Sequence, residues 1–537
     1  MIWRWIACCL ACLPLAATSL TADEEPPVSA AEVRALIRRL EQAEAQIGQL
    51  QSELADTRAH QPPPYPGQAT ALFTDKAVPP ATTRPDIDAL LQRNDDLEAS
   101  LKALTERQEK LTDSHEKLST GYDKFVADLG KGKGVVLPGS SNVTIKVNGR
   151  LHLDYWSFPH ADDGVKVLEG TPANPLDPQD RVGLRRLRLT LRGDIRENML
   201  YRFDLEFANP HAIEWRDAYL GFKHLPVFQE VRIGHQKRPY GLDTLNSSNE
   251  NIFLERPLEQ DFINPDYRRL GIQSLGVSED LRWNWQYGLF NGEFVQDSDA
   301  FAVNDHYQPE LAGRLANTWW YDEQSDGRGY AHWAISGAIA HPDGNSRNNS
   351  ARFASRPEGR SSSRWIDTGA INDASSYELL GMEQVFNAGP LQLVGEVHNV
   401  FVQRAANSPS HFWGGYGYVA YMLTGEHMAW NRNSGTLAGV TPFENFFLVD
   451  RLSGGTGGGW GAWQIAARYS YLDATDGNLM GGVGHNTTLG LVWYFNQNAK
   501  LQFNWEHGWI TDSANLTAAM LPEAEYDILG LRCLIAF

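Results

Sequence analysis

Arginine recurs at near-alternate positions in one short stretch, Gly183 to Ile195 (GLRRLRLTLRGDI). With Leu187, Leu189 and Leu191 in the intervening positions, an extended chain turns its apolar side one way and Arg186, Arg188 and Arg192 the other. Arg202 extends this column in the next alternating run, and Arg282, Arg468 and Arg532 occupy comparable positions elsewhere. Guanidinium groups so arranged suit one chemistry: each planar fork grips an oxyanion through two N–H groups and stays charged at any working pH. The competing reading is structural, because Asp194, Asp204 and Glu206 are interleaved and could pair with these arginines across strands. A second concentration lies in 236–268, where Lys237, Arg238, Arg256, Arg268 and Arg269 accompany Asp243, Glu250, Glu255, Glu259 and Asp261.

Nothing of comparable strength points to catalysis. The histidines form no HExxH motif and no i,i+4 helical pair, and no G-x-S-x-G elbow accompanies the serines. Asp473 to Asn478 lacks the distal glutamate of a calcium loop, and Gly454 to Gly461 lacks the Gly-Lys-Ser/Thr of a phosphate cradle. No enzyme activity, metal or cofactor is therefore expected.

The chain carries 47 Lys and Arg against 66 Asp and Glu, a formal charge of −19 over 537 residues, with no basic tract. That excludes general nucleic-acid binding, which neutralises phosphates with clustered cations. Residues 143–537 alone hold 27 Arg and 5 Lys against 46 acidic side chains, so any preference for anions has to come from local focusing by a basic cluster.

The elements that would position these cations are strands. Leu281 to Phe290 places Trp283, Trp285, Tyr287 and Leu289 on one face and Arg282, Asn284 and Gln286 on the other. The alternation recurs at 201–207, 487–495 and 500–509. A mean hydropathy of −0.40 with 17 Trp, 19 Tyr, 22 Phe and 48 Gly fits a β-rich chain, and no run after the first two dozen residues is long and apolar enough for a membrane helix. Strand length, aromatics at strand ends (Trp319-Trp320-Tyr321, Tyr494-Phe495) and a last run ending in Phe537 with Ile535, Cys533, Leu531 and Leu529 on one face favour a transmembrane β-barrel over a soluble sandwich.

Sixteen strands are predicted, near 143–157, 182–195, 199–208, 213–223, 228–235, 269–278, 281–291, 310–320, 331–341, 376–387, 390–403, 411–423, 460–471, 484–496, 498–510 and 526–537. Long and short connections alternate, which puts the long set outside the cell and the short set in the periplasm. The stretch 424–459 breaks this rule, being long where a short turn is due.

Ahead of the barrel, Met1 to Ala22 reads as a secretory signal, with Arg4, an apolar core and small residues before Asp23. Its removal takes Cys8, Cys9 and Cys12 and leaves Cys533, so no intrachain disulfide can form. A short coiled-coil segment is expected at 28–58, a proline-rich linker at 59–85 and a stronger coiled coil at 86–130. There Ile87, Leu90, Asn94, Leu97, Leu101, Leu104 and their successors to Leu129 keep the three-four step, predicting an oligomeric periplasmic rod of roughly 65 Å.

Five strings stand out along the chain: GRLHLDYW (149–156), the arginine strand, VRIGHQKRPYGLDTLNSSNENIFLERP (231–257), YMLTGEH (421–427) and GGWGAWQIAARYSYLD (458–473). Together they resemble the phosphate-selective porin O and P family of Gram-negative outer membranes. The resemblance implies an all-β, trimeric, sixteen-stranded barrel with an inward third loop, taking up anions such as phosphate or polyphosphate through an arginine-lined constriction. By position it adds Arg185 beside Arg186, and Arg256 in the loop, to an anion site of Arg185, Arg186, Arg188, Arg192, Arg202, Lys237, Arg238 and Arg256. Where phosphate-selective members carry a lysine after the Gly-Leu-acidic string, this chain has Thr244, a departure that bears on phosphate selectivity and not on the barrel. The expected partners are outer-membrane lipid, small anions, two further copies of the chain and the cell wall, reached through residues 28–135. The alternative function is a non-selective pore whose main role is to tether the outer membrane to the wall.

Overall fold

The structure, a computed structural model, describes residues 143–263, 267–292, 307–342, 351–447 and 456–537, with Lys102, Val135-Val136 and Val449-Asp450. Apart from Lys102, the signal, both coiled-coil segments and the linker predicted within 1–130 lie outside these residues.

Sixteen antiparallel strands form the barrel: β1 (Thr144–Ala161), β2 (Arg181–Ile195), β3 (Met199–Glu206), β4 (Glu214–Leu225), β5 (Gln229–Lys237), β6 (Arg268–Val277), β7 (Trp283–Asn291), β8 (Pro309–Tyr321), β9 (Gly329–Ala340), β10 (Ala374–Ala388), β11 (Leu391–Arg404), β12 (Ser410–Met422), β13 (Ala462–Asp476), β14 (Leu479–Asn496), β15 (Ala499–Ser513) and β16 (Glu523–Ala536). Each pairs with its sequence neighbours. The barrel closes where β1 meets β16, from Arg150 opposite Ala536 to Ala161 opposite Tyr526. Closure removes the sheet edge, whose unpaired backbone groups hydrocarbon would not tolerate.

The strands form because each has two solvents. Along β10, Leu380 and Met382 are 57% and 51% exposed on the outside, while Glu383 between Met382 and Gln384 is 2% exposed and faces in. Apolar residues outside and hydrogen-bonded polar residues inside invert the pattern of a water-soluble core and suit a lipid exterior. Aromatic pairs stand at both rims: Trp320 with Phe386 and Trp463 with Trp493 at the turn end, Trp413 with Tyr471 and His485 with Trp509 toward the loop end.

The lumen is largely filled. From the loop end, 238–263 folds inward with the short helices α1 (Leu242–Leu245) and α2 (Leu258–Ile263). Residues 351–373 also turn in, packing Phe353, Trp365 and Ile366 against Phe262, Phe412 and Tyr526. From the turn end, residues 428–440 of the long connection after β12 enter as well. The predicted strand count therefore holds: the irregular stretch at 424–459 adds no strand to the barrel, and its hairpin at 430–437 is an inward insertion between β12 and β13.

Candidate functional site: the lumen and its arginine wall

One carboxylate anchors the inward loop. Glu396 on β11 accepts from the Leu242 and Asp243 backbone amides (2.5 and 3.2 Å), Gln260 Nε2 (3.0 Å) and Tyr416 Oη (2.7 Å). On the other side of the lumen Arg150 Nη1 donates to Ser248 (2.9 Å), Lys500 Nζ to the Asn251 carbonyl (3.0 Å), and Arg532 to the Leu254 carbonyl. The loop is thus pinned to the wall around its length and fixed as a constriction.

The eight expected anion-site residues fall into three situations. In the first, the cation is matched by a carboxylate: Arg188 with Glu206 (2.6 Å, both buried), Arg238 with Glu310 (2.7 Å), Arg185 with Glu255 through both oxygens (2.7 and 3.0 Å), and Arg202 with Asp204 (2.8 Å) and Asp217 (3.5 Å). Arg256 is looser, 3.4 Å from Asp243 and stacked over the Tyr267 ring at 4.5 Å. In the second, Lys237 holds the loop: its Nζ donates to the carbonyls of Thr244, Leu245 and Asn246 (2.7, 2.8 and 3.0 Å), leaving no N–H for a solute. In the third, no carboxylate lies within ion-pair reach among the described residues. Arg186 is 3% exposed, bonds only His152 Nδ1 (3.3 Å) and has an unpartnered Nε. Arg192 lines the cavity without an ion pair. Pairing of these strands' arginines with Glu206 and Asp204 thus applies to Arg188 and Arg202; Asp194 pairs with Lys223 instead.

A β-bulge brings Arg185 and Arg186 to the same side. His152 faces Arg186 while its neighbour Leu153 faces Leu184, so Arg185 is an extra residue on β2. Of the further arginines expected along the wall, Arg468 and Arg532 are there, buried on Glu358 and Asp154, whereas Arg282 lies in the 278–282 turn and is 61% exposed. Alternation did not single out Arg150, which enters the site opposite Arg188.

The insertion from the turn end blocks the opposite side. Its hairpin at 430–437 is held by Trp430 Nε1 on Thr318 (3.0 Å), Arg314 on the carbonyls of Ser434 and Gly435, and the Leu437 amide on Asn246 of the inward loop (3.0 Å). With Leu242, Phe253, Tyr418 and Tyr494 it forms an apolar mass against β9–β14. Open space remains along β1–β6, as a cavity of about 1190 Å³. Its lining carries nine cations (Arg150, Arg188, Arg192, Arg202, Lys223, Arg232, Lys237, Arg268, Lys500) and four carboxylates (Asp204, Asp217, Glu230, Glu250). Like charges even stand opposite one another across strands: Arg150 faces Arg188, Lys146 faces Arg192, and Arg192 faces Arg202. Such pairs destabilise a sheet unless something neutralises them.

Toward the loop end the column continues in Arg185 and Arg186 and in loop arginines 356 and 360. The Arg185 guanidinium, with burial, pushes Arg360 down to about 10, and burial pushes Arg356 down as well. Their carboxylate neighbour Glu255 is held well below the usual range by Arg185 and Arg532 despite its burial. Cations here are crowded beyond their counter-charges, the condition of an anion site.

A closed sixteen-stranded barrel, apolar outside and narrowed by an inward loop beside a polar path, is a porin. Residues 145–537 match the family described as phosphate-selective porin O and P, and the chain belongs to it. An uncharacterized protein of Caulobacter vibrioides is 28% identical over 318 residues, covering 58% of this chain; the chain spans 59% of that relative's length. Among solved structures, the trimer form of OmpT of Vibrio cholerae is similar at 10% identity and a TM-score of 0.44, covering 74% of this chain and 100% of that one. An anion-selective porin from Comamonas acidovorans is similar at 14% identity and a TM-score of 0.43, with the same coverage. The outer membrane channel DcaP of Acinetobacter baumannii follows at 10% and 0.43, covering 75% of this chain and 99% of that one.

Proposed function

We propose that this porin is a passive outer-membrane channel for small anions, with phosphate and polyphosphate as the solute class, and that the anion travels along the β1–β6 wall. One observation carries the reading: nine cations and four carboxylates line the cavity of a chain whose net charge is −19. A passing oxyanion supplies the counter-charge that Arg150, Arg192 and Lys146 lack, while Arg186 and Arg360 serve it nearer the loop end. The paired arginines (Arg185, Arg188, Arg202, Arg238, Arg256) set the field and the shape of the wall, and Lys237 holds the constriction. The turn end faces the periplasm, as do residues 28–135, and three copies assemble in the membrane.

Single-channel recording in a planar bilayer under a KCl gradient tests this. The expected result is a reversal potential on the chloride side with current block by added phosphate. A cation-selective potential would overturn the anion assignment; a chloride-selective pore indifferent to phosphate would overturn the solute class alone.

A further inference from the structure

The connection 423–461 works on both faces of the wall. Its 430–437 hairpin fills the lumen, but Phe446 and Trp460 lie against the outer face of the wall. The Phe446 amide donates to the Phe495 carbonyl at the end of β14 (2.7 Å), and the Phe446 ring packs on Trp493 (4.7 Å between centroids) and Phe495 (5.5 Å). Trp493 stacks on Trp463 at 4.7 Å, and both belong to the outward faces of β14 and β13. The Phe447 amide donates to the Gly459 carbonyl, and Val449-Asp450 pairs with Thr456-Gly457, so Trp460 follows directly on the residue that Phe447 holds. The Trp460 carbonyl accepts the indole N–H groups of Trp493 (2.8 Å) and Trp463 (3.3 Å), fixing this segment to the girdle. Trp460 is 78% exposed, and Phe443 and Phe447 are each 66% exposed.

We propose that Phe443, Phe446, Phe447 and Trp460 form a membrane anchor that docks into the phospholipid leaflet at the turn end, at the boundary between headgroups and acyl chains. The patch is continuous with the Trp463–Trp493–Phe495 girdle, so it lies at the depth where that girdle meets the leaflet. Its composition, large rings backed by a hydrogen-bonded backbone, is what that boundary accepts and water does not. The anchor and the lumen hairpin share one connection, so the leaflet holds the base of the insertion that narrows the pore. The inference rests on the membrane placement of the barrel and is independent of its ion selectivity.

The test uses the full chain in phosphatidylcholine vesicles, in a Cys533→Ser background, with an environment-sensitive dye on Phe447→Cys and, as an aqueous reference, on Ser408→Cys in the exposed 405–409 loop. Docking predicts blue-shifted emission at 447, quenching by phospholipid brominated near the headgroup, and iodide quenching several-fold weaker than at 408. Iodide quenching equal to that at 408 would overturn the proposal. So would emission at 447 that changes when labelled protein is diluted with unlabelled, since that marks contact between copies. Should the Phe447→Cys chain fail to fold, Trp460→Phe supplies the second reading: the tryptophan emission quenched by the brominated lipid falls if Trp460 lies in the leaflet, and an unchanged quenched fraction overturns the proposal.

Discussion

Arg186 and Arg188 stand two residues apart on one face of β2, yet one has a carboxylate and the other does not. Their alanine variants should therefore fail differently. Arg188→Ala leaves the buried Glu206 uncompensated, and loss of one partner from such a pair costs ~3–5 kcal/mol, so the expected outcome is a lower temperature for loss of the compact barrel on gels. Arg186→Ala strips no carboxylate of its partner, so it should leave that temperature closer to the parent and weaken anion binding roughly tenfold for a charge-assisted hydrogen bond removed. Adding Arg256→Ala should lower anion preference further by weakening the field. Unchanged ion selectivity in the double variant would remove these residues from the site. Period-2 alternation put Arg186, Arg188 and Arg192 on one face because Leu187, Leu189 and Leu191 occupy the other. By the same rule Arg185 belongs with the lipid; the bulge at His152/Leu153 turns it in, and the sequence shows only a slip of phase between Leu184 and Leu187, which does not say which way the extra residue faces. That Lys237 spends its donors on three carbonyls was equally hidden, since residue type cannot tell a free ammonium from one closing a loop.

At the scale of elements, Glu396 gathers two backbone amides, an amide side chain and a phenol onto one carboxylate, all supplied by segments distant in sequence. Glu396→Ala strands those donors in the lumen, at a cost of ~1–3 kcal/mol for each that finds no water. The inward loop should then fluctuate, seen as noisier open-channel current. Replacing 430–437 by a short Gly-Ser turn should raise single-channel conductance by opening the β9–β14 side; conductance equal to the parent would mean that the hairpin does not limit the pore. Strands were legible because every one of them meets lipid on one face and a polar interior on the other. The destination of 423–461 was not. Its hairpin contains no alternating run, and its holding groups, Thr318, Arg314 and Asn246, become neighbours only once the barrel has closed.

For the whole molecule, net charge and local charge point in opposite directions, and the solute meets the local one. Screening lengths of about 8 Å at physiological ionic strength are shorter than the barrel is wide, so distant carboxylates count for little beside the arginine wall. Deleting residues 28–135 should accordingly leave conductance and selectivity unchanged, a result readable in the same bilayer recording; altered selectivity would assign that segment a part in the pore.

The facing cations of β1, β2 and β3 also make the solute a determinant of the barrel's own thermodynamics. Arg150 against Arg188, Lys146 against Arg192 and Arg192 against Arg202 repel one another in the empty channel, and any anion that settles between them relieves that repulsion only while the strands are paired. A ligand bound to the folded form alone at a hundred times its dissociation constant adds about 2.7 kcal/mol of stability. Melting the purified barrel against a panel of oxyanions thus becomes a way to find its natural solute without measuring any current.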